Sequence, residues 1–81
     1  MSYNLSLVTR AGCHLCMDME ARLEIYAEQY EIAYVIKDVD ESPELLARFN
    51  HDVPVLLQND DVVCMHFFDE KKIVRQFINE F

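Results

Sequence analysis

Apolar and polar positions change period several times along these 81 residues, and each change predicts an element. Leu5-Ser6-Leu7-Val8-Thr9 alternates and then turns apolar, the pattern of a strand. From Leu15 to Tyr30 apolar residues recur at helical spacing (Leu15, Met19, Leu23, Ala27, Tyr30), while Asp18, Glu20, Glu24 and Glu28 take other faces. Ile32-Ala33-Tyr34-Val35-Ile36 predicts a second strand, terminated by Lys37-Asp38-Val39-Asp40. Ser42-Pro43-Glu44 opens a short helix: an N-cap side chain, a proline at the first helical position and an acid at the positive helix end. Val55-Leu56-Leu57 and Val62 to Phe67 read as two strands of a hairpin turning at Gln58-Asn59-Asp60-Asp61. A third amphipathic helix, capped by Asp69, is expected from there to Phe81, with Ile73, Phe77 and Phe81 along one side. Tyr26, Tyr30 and Tyr34 read as packing residues.

The order is therefore β-α-β-α-β-β-α. Two strands joined by a helix are parallel under the crossover rule, and two joined by a short turn are antiparallel. An α/β domain spanning residues 1–81 follows, with a four-stranded mixed sheet flanked by helices.

Charge narrows the partners. A net charge of −8 excludes nucleic acid and anionic membrane, both of which need a basic surface. No apolar run approaches a membrane span, and MSYNLSLVTR lacks the regions of a signal peptide. The expected location is the cytoplasm and the expected state a monomer. In a reducing compartment three cysteines are not a structural disulfide framework.

The candidate chemistry lies in Ala11-Gly12-Cys13-His14-Leu15-Cys16. A Cys-x-x-Cys after a strand and before a helix points to redox chemistry rather than metal binding. Gly12, the only glycine, marks a backbone angle that other residues resist. Thiolate is the attacking species, so the site must make one thiol more acidic. A helix end contributes about 0.3–1 kcal/mol, against about 1.4 kcal/mol for one pKa unit. Arg10 and His14 could add positive charge. Asp18, four residues beyond His14, is in reach of it and would offset that field. A moderate acidification of Cys13 is the expectation.

Cys-x-x-Cys after the first strand and Val53-Pro54 before the third resemble the thioredoxin superfamily. Cys13-His14-Leu15-Cys16, Asp38-Val39-Asp40 and Val53-Pro54-Val55-Leu56 most resemble a bacterial group of glutaredoxin-like proteins. The resemblance implies a thioredoxin-like fold, Cys13 as nucleophile, Cys16 as resolving thiol, and a cis peptide before Pro54 facing the disulfide. Val53 and Pro54 would shape the substrate groove. From the residues alone that bond reads as trans, the commoner X-Pro isomer. Protein or low-molecular-weight disulfides are the implied substrates, glutathione a candidate reductant, with no bound cofactor or metal.

Three departures limit what is carried over. His14-Leu15 replaces the usual Pro-Tyr of glutaredoxins. Cys64 and Met65, counting from Pro54, occupy the places of a Gly-Gly pair where glutathione approaches the backbone. Leu7 stands where thioredoxins keep a buried acid. Two other readings stay open: a thioredoxin-fold binding or adaptor module with inactive cysteines, and a small zinc protein using Cys13, Cys16, Cys64 and His66. Cys64 itself reads as a buried inert thiol, with a third redox thiol as its sharper alternative.

Overall fold

The computed structural model describes residues 5–78. Its sheet has the strand order β2-β1-β3-β4. Strand β1 (Leu5–Thr9) is central and nearly all buried, as a strand covered on both faces should be. Strand β2 (Tyr34–Asp38) runs parallel to it, and β3 (Val55–Gln58) antiparallel. Strand β4 (Asp61–Met65) pairs antiparallel with β3 at the other edge.

Helix α1 (His14–Tyr30) buries Met19 and Leu23 as the sequence period predicts, but its first buried position is Cys16 rather than Leu15, and Leu15 and Tyr30, the two ends of the expected stripe, are exposed. It ends at Glu31, left-handed at φ 55°, whose N–H is accepted by the Ala27 carbonyl. Ile32 N–H also reaches that carbonyl, at 3.0 Å, so Ile32 drops into the core before β2 begins at Tyr34. The expected start of the second strand at Ile32 is thus two residues early: this segment spends its hydrogen bonds on closing the helix.

A 3-10 turn (Val39–Glu41) leads to α2 (Pro43–Phe49). Ser42 caps α2 as anticipated, its Oγ accepting Leu45 N–H at 3.2 Å. Asp69 caps α3 (Glu70–Ile73), which continues as a π-helical turn (Val74–Ile78). The end of the third helix expected at Phe81 lies outside the described residues. Tyr26 joins α1 to this last segment: its ring stacks on Phe68 at 5.6 Å and its hydroxyl donates to Glu70. Among the described residues no helix is long and apolar enough to cross a membrane.

Strand alternation sorts the core into two faces. Leu5, Leu7 and Leu56 point to one side, packing with Met19, Leu23, Ile73 and Phe77. Val8, Val55 and Leu57 point to the other, with Val39, Phe49 and Val53. Cys64 belongs to the first cluster and Cys16 to the second, at the very start of α1. The single cysteine and the buried member of the pair thus pack in different clusters.

Candidate functional site

The site begins where β1 ends. Gly12 has φ 77°, and a Cβ built there would meet nothing within 4 Å. The requirement for glycine is therefore conformational, not steric. Cys13 N–H donates to the Arg10 carbonyl at 3.2 Å, closing the turn. Cys13 is then the N-cap of α1: its backbone is extended, and its Sγ accepts Cys16 N–H at 3.0 Å. A sulfur replaces the hydroxyl or carboxylate oxygen usual at this position. Negative charge on that sulfur would sit at the positive end of the 17-residue helix, with the Cys16 N–H aimed at it. Cys13 and Cys16 are joined as a disulfide, with Cα atoms 5.2 Å apart, inside the range such a bond spans. Cys13 is half-buried and Cys16 buried.

The second wall is the loop before β3. The Val53–Pro54 peptide is cis, as the resemblance implied and the residues alone did not. Pro54 is fully buried, and Val53 packs in the cluster that holds Cys16, with Cys13 and Met65 against it. The loop is tied to the end of β4 by His66. Its N–H donates to the Pro54 carbonyl at 2.8 Å, and its Nε2 lies 3.3 Å from Asp52 Oδ1.

The end of β4 is shaped by an irregularity in the hairpin. A bulge in the β3–β4 hairpin sets Leu56 opposite Cys64 but Leu57 opposite Val62, which inserts Val63 as an extra residue. The residue that follows β4, beside the proline loop, is His66, left-handed at φ 73°. The same kink ends β4 at Met65, short of the expected Phe67. A bulge leaves no mark in a hydrophobic pattern as short as Val62 to Met65.

The candidate charges have other partners than expected. Arg10 Nε and Nη2 each donate to an Asp40 oxygen at 2.9 Å, and Nη2 also donates to Asn50 Oδ1 at 3.2 Å. The guanidinium holds the Asp40 carboxyl below its ordinary value, and Asp40 with Asp38 raises that of Arg10. Arg10 thus joins the Cys13 turn to the 3-10 turn and to the C-cap of α2, and its charge is matched before it reaches Cys13. Asp18, expected to face His14, instead accepts from Arg22 Nε at 3.0 Å. Residues four apart on a helix favour this pair, with the acid nearer the N-terminus. His14, first in α1, is exposed, with no hydrogen-bond or ionic partner among the described residues.

The proposed zinc set is not assembled. Cys64 and Cys16 pack in different core clusters, and no group of three or more His, Cys, Asp or Glu among the described residues could hold a metal. Leu7 is fully buried on the Cys64 face, so no acid approaches Cys16 from that position. Burial pushes the Cys64 thiol pKa up. A cleft of about 440 Å³ runs between β2 and α2, lined by Ile36, Lys37, Leu45 and Arg48 among others, and includes neither cysteine of the pair.

A mixed sheet in this order, with a disulfide across the first turn of its first helix and a cis proline packed with that turn, defines a thioredoxin-like α/β protein. Within that class the chain belongs to the family described as Glutaredoxin-like domain (DUF836), which it matches over residues 4–78. It is similar to protein Ne2328 from Nitrosomonas europaea, solved by solution NMR, at 28% identity and a TM-score of 0.80, covering 93% of this chain and 91% of that one. Thioredoxin 1 from Thermosipho africanus TCF52B shares the fold at 18% identity and a TM-score of 0.62, covering 89% and 86%. So does Fasciola hepatica thioredoxin, at 22% identity and 0.55, covering 91% and 78%.

Proposed function

We propose that this protein is a thiol–disulfide oxidoreductase that uses Cys13 as nucleophile and Cys16 as resolving thiol. The observation that carries the reading is the capping geometry: Cys13 Sγ, half-buried, accepts the Cys16 N–H at the helix start, and Cys16 Sγ lies beneath it within bonding reach. In the reduced protein the Cys13 thiolate attacks one sulfur of a substrate disulfide. The substrate S–S bond breaks, a mixed disulfide forms, and the departing sulfur takes a proton. Cys16 then gives up its proton and attacks Cys13 Sγ. The Cys13–Cys16 disulfide forms and the second substrate thiol leaves. Two electrons have passed to the substrate. A low-molecular-weight thiol such as glutathione, or a dithiol, returns them. No resident cofactor is needed, since electrons move only between sulfurs.

Val53 and Pro54 form the groove wall, and the Val53 backbone pairs with the extended substrate. The test is reduction of insulin disulfides and of a glutathione mixed disulfide, with Cys13→Ser as control. The reading predicts turnover that Cys13→Ser abolishes. Absence of turnover with both substrates, in a protein whose Cys13 and Cys16 fail to pair under mild oxidation, would leave a binding or adaptor module as the better account.

A further inference from the structure

We infer, on the basis of the exchange reaction proposed above, that the groove takes an extended polypeptide disulfide with basic side chains beside its cysteine, in preference to glutathione disulfide. The argument begins with the cations. Arg10, the arginine of the Cys13 turn, is held by Asp40 and Asn50. Arg22 is paired with Asp18, while Arg48 lies over the Phe49 ring and donates to the Asp60 carbonyl. Lys37 lines the cleft beside α2, and Lys71, Lys72 and Arg75 belong to the last helical segment. No unmatched lysine or arginine therefore stands in the Cys13 turn or the proline loop.

Acids are in excess there. Asp40 accepts from Arg10, and Asp38 Oδ1 beside it accepts the Asp40 N–H, so two carboxylates stand against one guanidinium. Asp52, one residue before Val53, has only the His66 imidazole, at 3.3 Å. Glutathione disulfide carries more carboxylates than ammonium groups. Its binding would set like charges against Asp52 with no unmatched lysine or arginine to receive them. A lysine or arginine on a substrate strand paired with Val53 meets Asp52 instead.

The remaining rim is apolar. Leu15, between the two cysteines, is 55% exposed, and Phe67, next to the His66 that binds the Pro54 carbonyl, is 66% exposed. Large side chains left in water within the Cys13 turn and next to the residue that ties the proline loop offer contact surface for a polypeptide. A small tripeptide would leave most of it uncovered.

The experiment is single-turnover oxidation of the reduced protein, followed by stopped flow. The probes are two synthetic peptide disulfides, identical apart from lysines or glutamates flanking the cysteine, together with glutathione disulfide and a neutral pyridyl disulfide. Every rate is divided by that of dithiothreitol with the same probe, which removes the intrinsic effect of neighbouring charge on sulfur. At low salt the lysine peptide should react about tenfold or more faster than the glutamate peptide on this normalised scale. Glutathione disulfide should be slower than the lysine peptide, and added salt should shrink the gap. Asp52→Asn should reduce the preference and Asp52→Lys reduce it further. The salt series on the unmodified protein stands even where a variant fails to fold. A normalised ratio near one, or glutathione disulfide as the fastest probe, would overturn the inference while leaving the exchange reaction intact. A protein inert toward the pyridyl disulfide as well would overturn the exchange reaction itself.

Discussion

Cys16 and Cys64 are both hidden from solvent, at 2% and 8% exposure, yet they occupy regions with opposite chemical prospects. Cys16 lies in the first turn of α1, where Cys13 is within bonding reach and a backbone N–H points at sulfur. Cys64 lies within β4, in the buried cluster that includes Leu5, Leu7, Val63 and Ile73, where burial pushes its thiol pKa up against a backbone hydrogen bond from Asp69. Burial alone therefore does not distinguish the two cysteines. The helix start gives Cys16 a neighbouring thiol within bonding reach; the strand interior gives Cys64 a backbone hydrogen bond from Asp69 but no such thiol.

The largest effects should separate the two regions outright. Cys13→Ser should abolish insulin reduction to the uncatalysed background, whereas Cys64→Ala should leave the turnover rate unchanged. Parallel assays of both variants check this, and loss of turnover in Cys64→Ala would break the contrast. Next in size is the packing around Cys64. Leu56→Ala removes a fully buried side chain from that face and should cost about 2–5 kcal/mol. A urea titration reads this as an earlier midpoint, with alkylation of Cys64 appearing at that midpoint and not before.

A smaller effect belongs to the other face. Ser42→Ala deletes the cap of α2 and should cost about 1 kcal/mol, again read by urea unfolding. The smallest is electrostatic and exposed. Arg10 depresses the Asp40 carboxyl, so the folded state binds this proton less readily than the unfolded chain. The contribution is present above the ordinary carboxylate value, about 4, and is lost as pH falls through the lower folded value. Asp40→Asn should flatten the acid limb of stability against pH. An acid limb identical to that of the parent protein would contradict the pairing.

What was legible in the sequence was what short-range physics controls. The stripe Met19–Leu23, the caps Ser42 and Asp69, and the placing of Cys13 between strand and helix all follow from residues within one or two turns of each other. The partners of Arg10 lie 30 and 40 positions away, and no local period points to them. Asp18 had two candidate partners on one helix, and Arg22 won by the favourable i,i+4 order. The cis peptide came from the resemblance alone. His66 was missed as the residue that ties the proline loop, because one extra residue in β4 moved it there. Its signal, a polar residue closing a strand beside an aromatic, is too common to identify a left-handed turn.

The most direct test of the central claim is a redox titration of the whole protein against glutathione, with mass mapping of the disulfide. The account predicts a two-electron transition between about −270 and −200 mV, with Cys13 joined to Cys16 and the same midpoint in Cys64→Ala. A disulfide that includes Cys64, or no Cys13–Cys16 pairing at any ratio of reduced to oxidised glutathione, would contradict it.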